Sequence, residues 1–132
     1  MTPINRARWI IVILGLILPY VARVPGMFMY GDDWLMSYIM GGLGGLVFIL
    51  GFNAITWGTV LLMTIGMKHA RSAWFPAVLG FAVPLLGHAT LDLAADAQAA
   101  IALIFIPMFG VPGALIGGVI GQWYDRRLQK RV

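Results

Sequence analysis

An all-α integral membrane bundle of four transmembrane helices, with both termini cytoplasmic and an interfacial segment before the second span, is the fold class that three observations predict. Hydrophobic residues fill 61% of the 132 positions and charged residues 11%, against roughly 45–50% and about 25% in a soluble domain. Mean hydropathy is correspondingly high, at +0.89. The apolar residues fall into runs long enough to cross a hydrocarbon core of ~30 Å. The basic residues gather at the ends of those runs, as topology signals do.

The first run starts at Trp9, behind Arg6 and Arg8, and reads without a break to Leu18 before Pro19. The predicted span is about 9–22, extended toward 30 by an interfacial piece in which Arg23 snorkels to the headgroups. A cleaved signal peptide is the rival reading, but the position two before Ala22 is Tyr20, where cleavage needs a small residue. From Leu35 to Met67 the apolar run is about 33 residues, or roughly 50 Å of helix, too long for one crossing. The cluster Gly41-Gly42-Leu43-Gly44-Gly45 is the expected break, because consecutive glycines raise the entropic cost of helix. Trp34 to Met40 is therefore placed at the interface and the second span at about 44–67. The third span is about 74–90, interrupted by Pro76 and Pro84, and the fourth about 99–121, with Pro107 and Pro112 inside it. The four spans form one domain over 1–132.

Charge tests this threading independently of hydropathy. On the side of the termini lie Arg6, Arg8, Lys68, Arg71, Arg126, Arg127, Lys130 and Arg131 against Asp125, a net of +7. On the other side Arg23 faces Asp32, Asp33, Asp92 and Asp96, a net of −3, and together these make the +4 of the whole chain. Such segregation is what the positive-inside rule demands of two short hairpins with cytoplasmic ends, and a bacterial inner membrane is the expected setting. Although the sequence pI is about 10.0, basic residues confined to span ends point to membrane lipid rather than to nucleic acid.

In lipid, helices associate through close backbone approach and a few polar contacts. The fourth span carries Gly113, Gly117 and Gly121 at spacings of four, on one helical face. The second carries Gly44, Gly51 and Gly58 at spacings of seven, preceded in the same register by Ser37. Gly80 and Gly87 repeat that offset in the third. These faces are expected either to close the bundle on itself or to dock another membrane protein or a second copy.

Intramembrane polar residues are few. Asn53, Thr56 and Thr64 share the second span and are expected to hydrogen-bond across helices, with a polar conduction path as the alternative. His88 is the candidate ligand for a haem or chlorophyll-type metal. More commonly such a histidine bonds to a neighbouring helix or to Asp92, one turn on. It cannot share a metal with His69, roughly 30 Å away along a helix. Asp32, Asp33, Asp92 and Asp96 form an outer acidic patch without the spacing of a calcium loop. No cofactor and no metal site is expected.

Nothing in the chain assembles a catalytic set. There is no cysteine and no glutamate, and Gly41-Gly42-Leu43-Gly44-Gly45 has no lysine beside it as a phosphate loop would. Carriers coupled to protons or cations place an ionisable residue inside a span, and the predicted spans contain no acid. The expectation is a non-enzymatic protein that binds another membrane protein, as an accessory or assembly subunit or as an immunity-type inhibitor of a membrane-acting toxin. Its topology is similar to that of small four-span proteins that protect bacteria against pore-forming toxins, a likeness of topology alone. The alternatives are a small homo-oligomeric channel or carrier using Asn53, Thr56 and Thr64, and a pigment or haem-binding subunit using His88.

Overall fold

The computed structural model describes residues 1–95 and 97–130. Its elements are α1 (Pro3–Val21), α2 (Val24–Tyr30), α3 (Asp33–Ile39), α4 (Gly42–Met63), α5 (Ala70–Thr90) and α6 (Ala99–Gln129), with no strand among the described residues. Four stretches are long and apolar enough to cross a membrane: α1 with α2, α4, α5 and α6. The protein is an all-helical, multi-pass membrane bundle.

Local chemistry sets the ends of the helices. Thr2 caps α1 by accepting the Asn5 N–H at 3.4 Å, and Pro3 occupies the first turn, where its missing donor costs nothing. Pro25 cannot donate to the carbonyl of Val21, and the chain steps there from α1 into α2. Gly31 ends α2 at φ 97°, and Gly42 turns α3 into α4 at φ 61°, both in the region that favours glycine. The break therefore falls at Gly41 and Gly42, whereas Gly44 and Gly45 are helical. Ser37 belongs to α3, so it does not extend the stripe of Gly44, Gly51 and Gly58.

Several boundaries differ from the sequence reading, beginning with α1, which starts at Pro3 rather than 9, and α4, which starts at Gly42 rather than 44. The second span ends at Met63 rather than 67, tightening through Thr64 N–H to Leu61 O and turning at Gly66 with φ 83°. The third starts at Ala70 rather than 74, because Asp125 satisfies the backbone N–H groups of Lys68 and His69 just before it. The fourth runs on to Gln129, past its apolar part, since nothing after Gly121 breaks the helix.

α5 and α6 form the most extensive interface; α1 packs on α4 and α5 from one side and α6 packs on the same pair from the other. Helix prolines and glycines meet at the seam of α5 and α6. Pro76 and Pro84 leave the carbonyls of Ser72 and Gly80 without their intrahelical donors. Those oxygens face Gly121 and Gly110, so closely that a Cβ at either glycine would stand 2.6 Å away. Gly113 and Gly117 lie closer still to the carbonyls of Leu79 and Phe75. Contacts of this kind allow Cα–H···O interactions between helices.

Two buried apolar clusters fill the bundle. The larger joins Ile4, Ala7, Ile11, Val60, Met67, Ala73, Ala77 and Ala114 towards the termini. The smaller gathers Tyr38, Ile49 and Leu103 with Tyr20, Leu91 and Leu93 at the other end.

Candidate functional site

At the end of the bundle away from the termini, Arg23 lies in the break between α1 and α2. It does not snorkel outward as the sequence reading had it: it is 1% exposed. Its Nε donates to Trp34 O at 2.5 Å, and its Nη1 donates to His88 O at 2.9 Å and Leu91 O at 2.7 Å. Its Nη2 reaches Ser37 Oγ at 3.4 Å. The guanidinium lies 4.5 Å from the centre of the Trp34 ring and 4.1 Å from that of Tyr38. Burial wins over snorkelling because the last carbonyls of α5 have no intrahelical donors and the negative end of its dipole favours a cation. The Arg23 side chain supplies both donors and charge, and the aromatic faces replace lost hydration.

His88 is held from the same side. Its Nδ1 lies 3.0 Å from the Tyr38 hydroxyl and the rings meet edge to face, so the partner is Tyr38 and not Asp92. Burial pushes the Tyr38 hydroxyl up to about 12 despite the opposing influence of Arg23, so it is neutral at ordinary pH. His88 Nε2, Trp34 Nε1 and Tyr20 Oη are buried without a hydrogen-bond partner. Trp34 rests on Gly26 of α2, where a Cβ would collide with its indole. A cleft of about 320 Å³ opens above Arg23, with Asp33 and Asp92 on its walls. Asp32 is exposed, and Asp96 lies outside the described residues. Among the described residues no group of three potential metal ligands forms.

The polar residues of the second span tie it to two neighbours, α1 and α6. Asn53 Nδ2 donates to Gly15 O of α1, the carbonyl that Pro19 leaves without a donor. Thr56 Oγ1 donates to Pro107 O of α6 at 2.5 Å. Thr64 Oγ1 donates to Leu61 O at 2.7 Å and accepts from Arg8 Nε at 3.1 Å, while Arg8 Nη2 reaches Thr64 O at 2.8 Å. All three are buried and their hydroxyl or amide groups serve helix contacts.

Near the termini, Asp125 is the residue that sequence reasoning missed, having been counted only as one negative charge. It is buried and accepts from Lys68 N, from His69 N at 2.9 Å and from Gln129 Nε2 at 2.6 Å. His69 Nδ1 lies 3.0 Å from it. A lone acid among basic neighbours at the end of a span was the available signal.

The two glycine faces have different surroundings. Every added Cβ at Gly113, Gly117 or Gly121 would strike α5. At Gly44, Gly51 and Gly58 nothing lies within 4 Å. Asn53 and Val60, each two residues and so about 200° further round α4, are buried against the bundle. The α4 stripe therefore points outward, flanked by Phe48 and Phe52, whose ring centres are 4.7 Å apart. No protein-family model, no curated protein and no solved structure matches this chain.

Proposed function

We propose that this chain is a non-enzymatic inner-membrane protein, with both termini cytoplasmic, that acts by binding another integral membrane protein through the outward face of α4. Its role is that of an accessory or assembly subunit, or of an immunity-type inhibitor. The observation that carries the reading is the open stripe Gly44, Gly51 and Gly58, beside an α6 stripe that α5 already fills. A face with three glycines lets a second helix approach to backbone contact, the arrangement that drives association where the solvent is lipid. The segregation of basic residues supports the orientation. The channel reading gains no support from Asn53, Thr56 and Thr64, whose polar groups are taken up in contacts with α1 and α6.

A photo-crosslinking residue at Ile55, exposed on the same face, tests the reading in native membranes. It should yield one defined heavier adduct that Gly51→Leu removes, whereas the same residue at exposed Leu86 of α5 should yield none. A chain that never crosslinks from position 55 and runs as a solitary monomer in native mass spectrometry after mild extraction would sink the reading. Cysteines replacing Asp32 and Lys130 should label from opposite compartments, the second from the cytoplasm.

A further inference from the structure

Near the termini a lateral groove of about 720 Å³ lies between α1 and α4. That volume is within the roughly 300–1,000 Å³ of small-molecule sites. Its walls are apolar, including Trp9, Val12, Leu61 and Leu62, and Gly58 of α4 leaves a hollow in the floor because it has no side chain. At its polar end stand Arg8 and Asn5.

Arg8 carries a charge that nothing nearby neutralises. Its partners are the hydroxyl and carbonyl of Thr64 and the side-chain oxygen of Asn5, the last at 3.2 Å, all of them neutral. Among the described residues no carboxylate lies within ion-pair distance of it. These three bonds leave one N–H on each terminal nitrogen, a pair suited to two oxygens of one phosphate. The Asn5 side chain, accepting from Arg8 through its oxygen, keeps its amide N–H₂ for the same ligand.

An apolar trough capped by a fixed cation, at the depth where acyl chains meet headgroups, matches one class of molecule. We infer that this groove binds a single anionic phospholipid, its phosphate on Arg8 and Asn5 and one acyl chain along Val12, Gly58 and Leu61. The groove shares Gly58 with the α4 stripe, whereas Gly44 and Gly51 lie beyond it, so Gly51→Leu tests the partner-binding reading and Arg8→Gln tests this one.

Native mass spectrometry of the full chain in detergent, titrated with phosphatidylglycerol or phosphatidylcholine of identical acyl chains, tests it. The unmodified chain should retain one phosphatidylglycerol about fivefold more tightly than phosphatidylcholine, the scale of one basic residue at an anionic surface. Arg8→Gln should abolish that preference. Gly58→Leu, whose new side chain has open space before it, should weaken both lipids by occupying the trough. Gly51→Leu, which blocks the α4 face but not the groove, should bind lipid as the unmodified chain does. Neutralising Arg126 and Arg127 in the C-terminal helix should leave the preference intact. The inference is overturned by equal retention of the two lipids, by a preference that survives Arg8→Gln or vanishes with the tail charges, or by displacement with glycerol phosphate alone. Should Arg8→Gln not fold, unchanged phosphatidylglycerol retention in Gly58→Leu overturns it.

Discussion

Asn53 of α4 donates its side-chain amide to the carbonyl of Gly15 in α1, the oxygen that Pro19 deprives of its helical donor. Helix and partner are thus tied by a bond that α1 cannot make alone. Gly15 also gives way to the Trp57 side chain, which a Cβ at that position would strike. The proline, the glycine and the asparagine form one device for joining two helices in a medium without water.

This predicts energetic coupling between Asn53 and Pro19. Asn53→Leu should cost about 1–3 kcal/mol, the usual consequence of a buried acceptor left unsatisfied. In a Pro19→Ala background the new backbone N–H at position 19 can bond to the Gly15 carbonyl, so the same change should cost measurably less. Unfolding free energies of the four chains in detergent close the cycle, and additivity within ~0.3 kcal/mol would show that the bond contributes nothing of its own.

Arg23 is predicted to hold the end of the bundle away from the termini. Arg23→Met removes the cation from the carbonyls of Trp34, His88 and Leu91 and should destabilise by about 3 kcal/mol or more. Arg6→Gln, at an exposed position, should change stability by less than about 0.5 kcal/mol. Equal melting shifts for the two variants would mean that the Arg23 contacts are not stabilising.

The two glycine faces should respond oppositely to alanine. Gly117→Ala pushes a methyl group into the carbonyl of Phe75 and Pro76 Cα, an overpacking expected to cost about 1–3 kcal/mol. Gly51→Ala meets nothing within 4 Å and should be neutral or stabilising by up to ~1 kcal/mol, since alanine favours helix. Thermal denaturation in the same detergent compares them directly; a Gly51→Ala loss as large as that of Gly117→Ala would contradict the packing.

Tyr38 supplies a pH signature. Its hydroxyl is pushed up to about 12 from an ordinary value near 10. A group whose acid form is favoured by folding stabilises fully below its unfolded value, and that stability is lost as pH rises through the folded value. Stability should therefore decline between about pH 10 and 12, and Tyr38→Phe should flatten the decline. The tyrosinate absorbance of the unmodified chain minus that of Tyr38→Phe should show a midpoint near 12, whereas a midpoint at about 10 would place Tyr38 in water.

Apolar run length was enough to read four helices of membrane-spanning length, a break at the glycine cluster and a separate piece over Trp34 to Met40. Those are properties of short stretches of chain against a bilayer of known thickness, so local composition determines them. The sharing of one end by both termini also followed from the even count of spans, and the contacts of Arg8 with Thr64 and of His69 with Asp125 bring those helix ends together.

What the sequence could not decide is which polar group meets which. Arg23 looked like a headgroup anchor because arginine at a span end usually is one; only the arrival of the α5 C-terminus, with its unfilled carbonyls, turned it inward. Gly44, Gly51 and Gly58 read the same as Gly113, Gly117 and Gly121 in one dimension, and the tertiary structure covers one set and leaves the other bare. Spacing along a helix determines that residues share a face, whereas the neighbour opposite that face comes from a distant part of the chain, and only the packed bundle brings the two together.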